Sequence, residues 1–528
     1  VEGDIKSLAA EVANLKTQIH EQQVYYEKRI DEIRTKAELL EQENKVLRHR
    51  LFGRKSEKLT QEDYKQMVLF DEAECATDEE SEREKTEVSV AGHTRKKPGR
   101  KPLSEKLPRV EIIHDIPEAE KQCACGSPLI RIGAEVCEKL KIIPAKIYVE
   151  KHVRPKYACN NCEGVENGGE AVVKIAPAPP QIIPKSIVTE TLLAYILVSK
   201  FNDALPFYRQ ERMFKRIGAE ITRADMANWA IKAAARCGEL VELMEQSIRE
   251  GPVVQIDETR IQVMKEYLRE DTSLSYMWVF RGGTPKKPVI LYKYHPTRSG
   301  EVPLSYLKGY AGFIQTDGYK GYAEVGSLPG IVHVGCWAHV RRKFDEACKA
   351  VKKAGSAREA LSKISRLYAV EKELRDLNLP DAEFMRKRKE AVEPLLKAFK
   401  EWLDKRAAQV APATLLGKAL SYTRGEWPKL TSYILSPHLT PDNNLIENAI
   451  RPFVVGRRNW LFSGSPRGAH ASAALYSIIQ TAKANGFEPF KYLSYIFSKI
   501  PLCNNKADFK NLLPQYLDEN EYKSFSFQ

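Results

Sequence analysis

Val253-Val254-Gln255-Ile256-Asp257 is a short run of β-forming residues that delivers a carboxylate at its end, and Phe313-Ile314-Gln315-Thr316-Asp317-Gly318-Tyr319 repeats the device. Two further β-rich runs, 277–280 and 289–292, follow the first, so this part of the chain predicts a three-strand meander. A helical stretch over 299–307 leads into the second carboxylate run, and 331–334 supplies a fifth strand. The order βββαβαβα is that of an RNase H-like domain, in which the first and fourth strands lie side by side. Two aspartates at neighbouring strand tips can then share divalent metal ions.

A third acid, Glu447, stands in Pro441-Asp442-Asn443-Asn444-Leu445-Ile446-Glu447-Asn448-Ala449-Ile450-Arg451-Pro452. Asp442 can cap a short helix there, and the four-residue step puts Glu447 and Arg451 on one face. Pro452 is expected to end or kink that helix, because the residue before a proline avoids the helical region. Read alone, Glu447 is a surface ion pair with Arg451.

Upstream of the first carboxylate, a proline-rich stretch at 177–184 marks a boundary, and the apolar period is helical from 187 to 250. Residues 205–217 read as one helix, Gly218 as a turn, and Thr222-Arg223-Ala224-Asp225 as a capping box that opens a second helix through Met226, Trp229 and Ile231. This is a helix-turn-helix pattern, with Arg223, Asn228 and Lys232 candidates to face a DNA groove. Helix pairs of this kind are also common in proteins that never touch DNA.

Nearer the start, Cys123 and Cys125 form a C-x-C pair and Cys159 and Cys162 a C-x-x-C pair. Four thiolates in two close pairs suit a tetrahedral structural Zn2+ site, and an alternating strand at 138–153 suggests a zinc-ribbon-like β module. The other readings are unliganded thiols or a site completed by His152. Lys141, Lys146, Lys151, Arg154 and Lys156 give this module a basic surface.

Before it comes Arg95-Lys96-Lys97-Pro98-Gly99-Arg100-Lys101-Pro102, a basic run kept extended by its prolines. It is either a solvated tether or a segment that lies along phosphates or in a minor groove. The acid-dominated stretch at 71–85 that precedes it has no apolar period and reads as a linker. At the beginning, Ile5, Leu8, Val12, Leu15 and Ile19, then Tyr26, Ile30, Ile33, Ala37, Leu40, Leu47 and Leu51, step by three and four residues in a heptad seam with one stutter. Asn44 falls on the seam, where a matching amide of a partner helix satisfies it best, so self-association through this arm is expected. A long helix packed back on its own domain is the other reading.

Composition sets the frame for these motifs. The chain has 528 residues, with 43% hydrophobic and 29% charged, which excludes a disordered or collagen-like chain. Lys plus Arg number 83 against 70 Asp plus Glu, and the net charge of +13 favours a polyanionic partner. Ten cysteines are too few for a disulfide scaffold, which favours metal ligation in a reducing compartment. No window approaches the roughly 18 apolar residues of a membrane span, so a soluble, unexported protein is expected.

Several blocks together carry a family resemblance. Leu51-Phe52-Gly53-Arg54-Lys55-Ser56-Glu57, Gly99-Arg100-Lys101-Pro102-Leu103, His152-Val153-Arg154-Pro155-Lys156-Tyr157, Thr316-Asp317-Gly318-Tyr319, Gly335-Cys336-Trp337-Ala338-His339-Val340-Arg341-Arg342-Lys343-Phe344, and Glu447-Asn448-Ala449-Ile450-Arg451-Pro452 through Asn459-Trp460-Leu461-Phe462-Ser463-Gly464 resemble the DDE transposases of the bacterial insertion-sequence-sixty-six family. Cys123-Ala124-Cys125 departs from the commoner C-x-x-C form by one residue.

The resemblance implies a multidomain α+β protein. Its parts are a coiled-coil oligomerisation arm (1–60), a charged linker with the basic run (61–108), the zinc-binding β module (109–176), a helix-turn-helix domain (177–250), an RNase H-like catalytic domain (251–350 and 438–486), an α-helical insertion (351–437) and a C-terminal helical tail (487–528). Asp257, Asp317 and Glu447 become the acid triad for two Mg2+ or Mn2+ ions, and the four cysteines hold Zn2+. Cys336 and His339 resemble the C-x-x-H signature of several DDE families, from which His339 is expected near the scissile phosphate; the other reading is a core histidine or one that only supports the site from behind. Arg451, Arg457 and Arg458, with Trp460 and Phe462, interleave charge and aromatic surface suited to phosphates and unstacked bases, although Trp460 equally reads as core.

The expected activity is metal-dependent cleavage at the ends of an insertion sequence and transfer of the 3′-hydroxyl into target DNA. Expected partners are element-end and target DNA, further copies of the chain in a homodimer or larger oligomer, and element-encoded accessory proteins. The expected location is the bacterial cytoplasm at the nucleoid. The alternatives are a RuvC-like nuclease or resolvase on the same fold, and a non-catalytic zinc-dependent DNA-binding repressor.

Overall fold

The structure, a computed structural model, describes residues 147–158, 173–351 and 355–526, together with positions of a helix between 16 and 44. The four cysteines of the zinc module, the basic run from Arg95 to Lys101 and the blocks near Leu51 and Gly99 lie outside the described residues. In the N-terminal helix the seam residues Tyr26, Ile30, Ile33 and Leu40 are all exposed.

The chain divides into two compact units, one of which comprises 71–153. In that unit residues 147–153 are irregular and exposed, so the alternating strand expected there is not present in its described part. In the other unit, β1 (Lys156–Ala158) and β2 (Val173–Ile175) pair antiparallel across the C-x-x-C segment.

Four helices follow. Helix α1 (Glu190–Phe201) is capped by Thr189, whose hydroxyl accepts the Leu192 N–H at 3.3 Å. Helices α2 (Phe207–Arg216) and α3 (Arg223–Arg236) meet across Gly218, whose φ of 84° is open to glycine and strained for other residues. The Thr222–Asp225 capping box is formed: Oγ1 of Thr222 accepts from Asp225 N at 3.1 Å and Asp225 Oδ2 accepts from Thr222 N at 3.3 Å. Helix α4 (Gly238–Glu250) then packs on the central sheet.

The sheet has the order β5-β4-β3-β6-β7, from β3 (Val253–Val263), β4 (Leu274–Thr284), β5 (Lys287–His295), β6 (Gly312–Gln315) and β7 (Ile331–Val334). Strands β3, β4 and β5 form an antiparallel meander, whereas β6 and β7 run parallel to β3. The first and fourth strands are therefore neighbours, as expected. Met277, Trp278, Val279 and Phe280 of β4 are all 0% exposed, so β4 is covered on both faces.

One correction concerns β3. Asp257 is not at the strand's end: the alternating apolar residues Ile261 and Val263 carry the strand on past it, paired with β4. What ends before Asp257 is the parallel pairing with β6, whose last partners are Gln255 and Gln315.

Helix α5 (Glu301–Tyr306) crosses to β6, and helix α6 (Trp337–Ala350) leaves β7. Helices α7 (Gly355–Asp376), α8 (Asp381–Ala407) and α9 (Leu415–Thr431) build a second hydrophobic core with one face of α6. Trp337 lies 5.4 Å from Phe399 and 5.9 Å from Trp427, ring centre to ring centre. Helices α10 (Asn444–Trp460), α11 (Pro466–Ala484) and α12 (Pro489–Lys499) return to the first core. The expected C-terminal tail is thus packed, with Leu493, Ile496 and Phe497 at 0% exposure.

Helix α10 also differs from expectation. Pro452 lies inside it, and the helix runs on to Trp460 because a proline there costs one hydrogen bond of a helix whose Phe453 and Gly456 are buried. Its N-cap is Asn443, while Asp442 accepts the Asn444 N–H at 3.2 Å. The outer edge of β5 is closed by hydroxyls of α11: Thr481 bonds both N–H and C=O of Ile290, and Ser477 accepts the Tyr292 N–H at 2.8 Å.

Candidate active site

Three elements converge on the point where β3 and β6 part. Because Gln255 pairs with Gln315, Asp257 and Asp317 stand two residues beyond the last rung on adjacent strands. The Gln255 amide donates to Gln315 Oε1 at 2.8 Å, and the Gln315 amide donates onward to the Thr440 carbonyl at 2.8 Å. That second bond ties the loop carrying the third acid to the sheet. The Trp337 N–H fastens the same loop by donating to the Pro441 carbonyl at 3.0 Å.

A buried guanidinium braces the loop from behind. Arg388 of α8 is fully buried, donates to both carboxylate oxygens of Glu371 and reaches the carbonyls of Ser436 at 2.8 Å and Leu439 at 2.7 Å. The helices between the second and third acids therefore do structural work: they hold the strap that leads into α10.

Helix α10 brings in Glu447 from its first turn. Its Oε1 lies 3.9 Å from His339 Nδ1 and its Oε2 3.9 Å from Arg342 Nη2, both on α6. The charged neighbours of Glu447 are thus His339 and Arg342 rather than Arg451, which stays exposed. Helix α6 is two-faced, with Trp337, Val340 and Phe344 in the second core and His339 and Arg342 turned to the acids.

Burial pushes the Asp257 carboxyl up to about 8, and the negative charges of Glu258, Asp317 and Glu447 add to the shift. Burial and then Arg342 hold the His339 imidazole below its ordinary range, against the pull of Glu447 and Asp317. Asp317 Oδ1 accepts the Tyr319 N–H at 2.9 Å, which turns the chain sharply after β6.

Glu258 is a fourth acid that sequence reasoning missed, although it adjoins Asp257. Its side chain is 2% exposed, accepts from Arg298 Nε at 2.6 Å and also from the Tyr322 hydroxyl. Arg298 in turn stacks 3.8 Å over the Tyr319 ring, whose hydroxyl donates to the Arg298 carbonyl at 2.7 Å. Burial still raises the Glu258 carboxyl, with Tyr322 and Arg298 working against the rise. Two ordinary-looking residues outside any motif thus hold the acid beside Asp257, Arg298 as its counter-charge and Tyr322 as a hydrogen-bond donor. Only tertiary contact reveals them.

Arg457 donates to Thr259 Oγ1 at 3.2 Å and, with Arg260 and Arg458, forms a basic cluster beside β3. Trp460 is partly buried, 6.3 Å from Tyr476 and 4.3 Å from the Lys200 ammonium. Asn228 and Lys232 sit one turn apart on the exposed side of α3, and Arg223 is exposed at its first position. Among the described residues no helix is long and apolar enough to cross a membrane.

Comparison with known proteins agrees with this layout. The family profile described as "Transposase IS66 family" matches residues 185–471, from the first helical domain through α10 and into α11. Three more match beside it: "Transposase C of IS166 homeodomain" over 39–112, "zinc-finger binding domain of transposase IS66" over 120–163 and "IS66 C-terminal element" over 477–515. Among curated relatives, the uncharacterized protein y4qI of Sinorhizobium fredii (strain NBRC 101917 / NGR234) is 30% identical over 494 residues, covering 89% of this chain and 87% of its own. The uncharacterized protein y4jD of the same organism is 30% identical, covering 75% of this chain and 78% of its own. The four family profiles fit the observed layout, and the chain belongs to the IS66 family of transposases.

Proposed function

We propose that this transposase is a DDE enzyme, with Asp257, Asp317 and Glu447 as the acids of an RNase H-like catalytic domain, cutting at the ends of an insertion sequence and joining the freed 3′-hydroxyl to target DNA. The observation that carries the reading is the placement of Asp257 and Asp317 two residues beyond the last Gln255–Gln315 rung, with Glu447 of α10 near enough to add its charge at the buried Asp257. Hard carboxylate oxygens in that number suit Mg2+ or Mn2+. Divalent ions held there supply charge stabilisation at phosphorus and a lower pKa for the attacking hydroxyl.

The chain's own residues do the rest. Asp257 releases its proton on entering the ionised triad. Arg298 and Tyr322 keep Glu258 occupied, so its charge does not compete for the same ligand. His339, held mostly neutral, can accept or return a proton at Nδ1 beside Glu447, and Arg342 reaches toward phosphate oxygens. Hydrolysis at the element end leaves a 3′-hydroxyl that attacks a target phosphodiester. Both steps are in-line displacements at phosphorus, so one pocket serves both.

DNA is held by the basic cluster of Arg457 and Arg458 with Arg451 and Trp460, by Arg223, Asn228 and Lys232 of the helix pair, and by Arg95, Lys96, Lys97, Arg100 and Lys101. Cys123, Cys125, Cys159 and Cys162 hold Zn2+. The exposed seam of the N-terminal helix pairs copies of the chain, and element-encoded accessory proteins join the complex.

A strand-transfer assay with pre-cleaved ends tests the proposal. Joining in Mg2+ that is lost in Asp257→Asn, Asp317→Asn and Glu447→Gln, with end binding retained, is the expected result. Cutting without joining makes the chain a RuvC-like nuclease, retention of DNA alone makes it a repressor, and a triad variant that still joins DNA overturns the assignment.

A further inference from the structure

A second set of metal-ligating atoms meets at Glu447. Cys336, His339 and Glu447 each present a ligand atom, and these lie within 4.8 Å of one another. Cys336 is 3% exposed and caps the N-terminus of α6. Burial pushes the Cys336 thiol up to about 12, so binding an ion there displaces its proton. His339 Nδ1 is buried and makes no hydrogen bond. Beside it, the fully buried Asn443 side chain has no hydrogen-bond partner at either Oδ1 or Nδ2.

This donor set differs in kind from the aspartates. A thiol sulfur, an imidazole nitrogen and one carboxylate oxygen suit Zn2+ or a similar thiophilic ion, whereas Mg2+ takes oxygen alone. Around tetrahedral Zn2+ such atoms stand about 3.3 to 3.6 Å apart, so the three side chains need to close by roughly 1 Å. Three protein ligands leave the fourth position open.

We propose that Cys336, His339 and Glu447 form a site for a thiophilic divalent transition ion, and that filling it draws the Glu447 carboxylate toward α6 and away from Asp257 and Asp317. The ion is then an inhibitor of DNA cleavage, competing with the triad for the one side chain they share. The inhibitory half rests on Glu447 being the third acid of the triad. The binding half does not.

Cobalt(II) absorption of the full-length protein reads the site without DNA, because a cysteine ligand adds a sulfur-to-cobalt charge-transfer band. Other cysteines contribute the same signal in every variant, so the difference between wild type and Cys336→Ser isolates this one. Wild type is expected to show an additional bound equivalent that Cys336→Ser and His339→Gln bind about tenfold or more weakly. Circular dichroism establishes that both variants fold. Identical cobalt titrations in wild type and both folded variants overturn the site.

The second arm adds Zn2+ to Mg2+-supported cleavage of an element end. Cys336→Ser is expected to need about tenfold more Zn2+ than wild type for the same inhibition, and equal sensitivity overturns the inhibitory role. A chain that binds cobalt through Cys336 yet never cleaves DNA refutes the transposase chemistry and supports the site. One that cleaves DNA with unchanged cobalt spectra in the variants overturns the site alone.

Discussion

Replacing Asp257 with Asn removes a charge that the folded protein accommodates poorly, so in the absence of Mg2+ it should stabilise the protein at alkaline pH while destroying activity. The folded chain keeps the Asp257 proton up to about pH 8, whereas an ordinary aspartate gives it up at 3.8. Between those values the folded state binds one proton more than the unfolded state, so stability falls as pH rises. The slope reaches about 1.4 kcal/mol per pH unit for this single group. From pH 6 to pH 8 that amounts to about 2 kcal/mol, the last part being softened as the folded carboxyl itself titrates. Asn keeps an oxygen to accept the Glu258 N–H, which Asp257 Oδ1 now accepts at 2.8 Å, so the local backbone loses nothing.

Urea unfolding, followed by tryptophan fluorescence in buffer free of Mg2+ and chelators, measures the effect. The stability difference between Asp257→Asn and wild type should grow by about 2 kcal/mol in favour of the variant from pH 6 to pH 8. Subtracting the two proteins at each pH cancels every other titrating group they share. Mg2+ should then stabilise wild type, by about 2.7 kcal/mol at a hundredfold excess over its dissociation constant, and the variant much less. A difference that stays constant with pH would show that Asp257 is ordinarily ionised, and that neither its burial nor the acids beside it raise its carboxyl.

Two substitutions address the supports of the site. Arg388→Ala leaves Glu371 enclosed without its partner and frees the 436–439 strap, and should cost about 3 to 5 kcal/mol in thermal or urea unfolding; a loss under about 1 kcal/mol would show that the strap needs no brace. Arg298→Ala strands Glu258 and should cost about 2 kcal/mol, less than for an enclosed pair because Arg298 keeps 38% of its side chain exposed. Adding Glu258→Gln should recover most of that loss, and a double variant no more stable than Arg298→Ala would refute the pairing.

Much of the architecture was legible in local pattern. The capping box at Thr222, the glycine turn at Gly218 and the five strands follow from periodicity and residue chemistry acting over a few positions, whereas the order of the strands came from the RNase H-like pattern and the helices between the second and third acids from the family resemblance. The errors were local too. Asp257 lies within a strand because β4 pairs with it on one side after β6 has left on the other. Pro452 is carried within a helix because the buried residues beyond it repay one lost hydrogen bond.

What the amino-acid order determined by itself was which elements form, which acids stand near strand ends or in a helix's first turn, and which family pattern they follow. Tertiary structure alone decided that Glu447 faces His339 and Arg342 rather than its own helix neighbour Arg451, that Glu258 pairs with Arg298 and accepts from Tyr322, and that Arg388 braces the strap. Local preference acts through backbone torsions and steps of two, three or four residues. Asp257 is raised first by burial, next by its chain neighbour Glu258 and only then by Asp317 and Glu447, and both the burial and the distances to those last two exist only once the sheet and α10 have packed together.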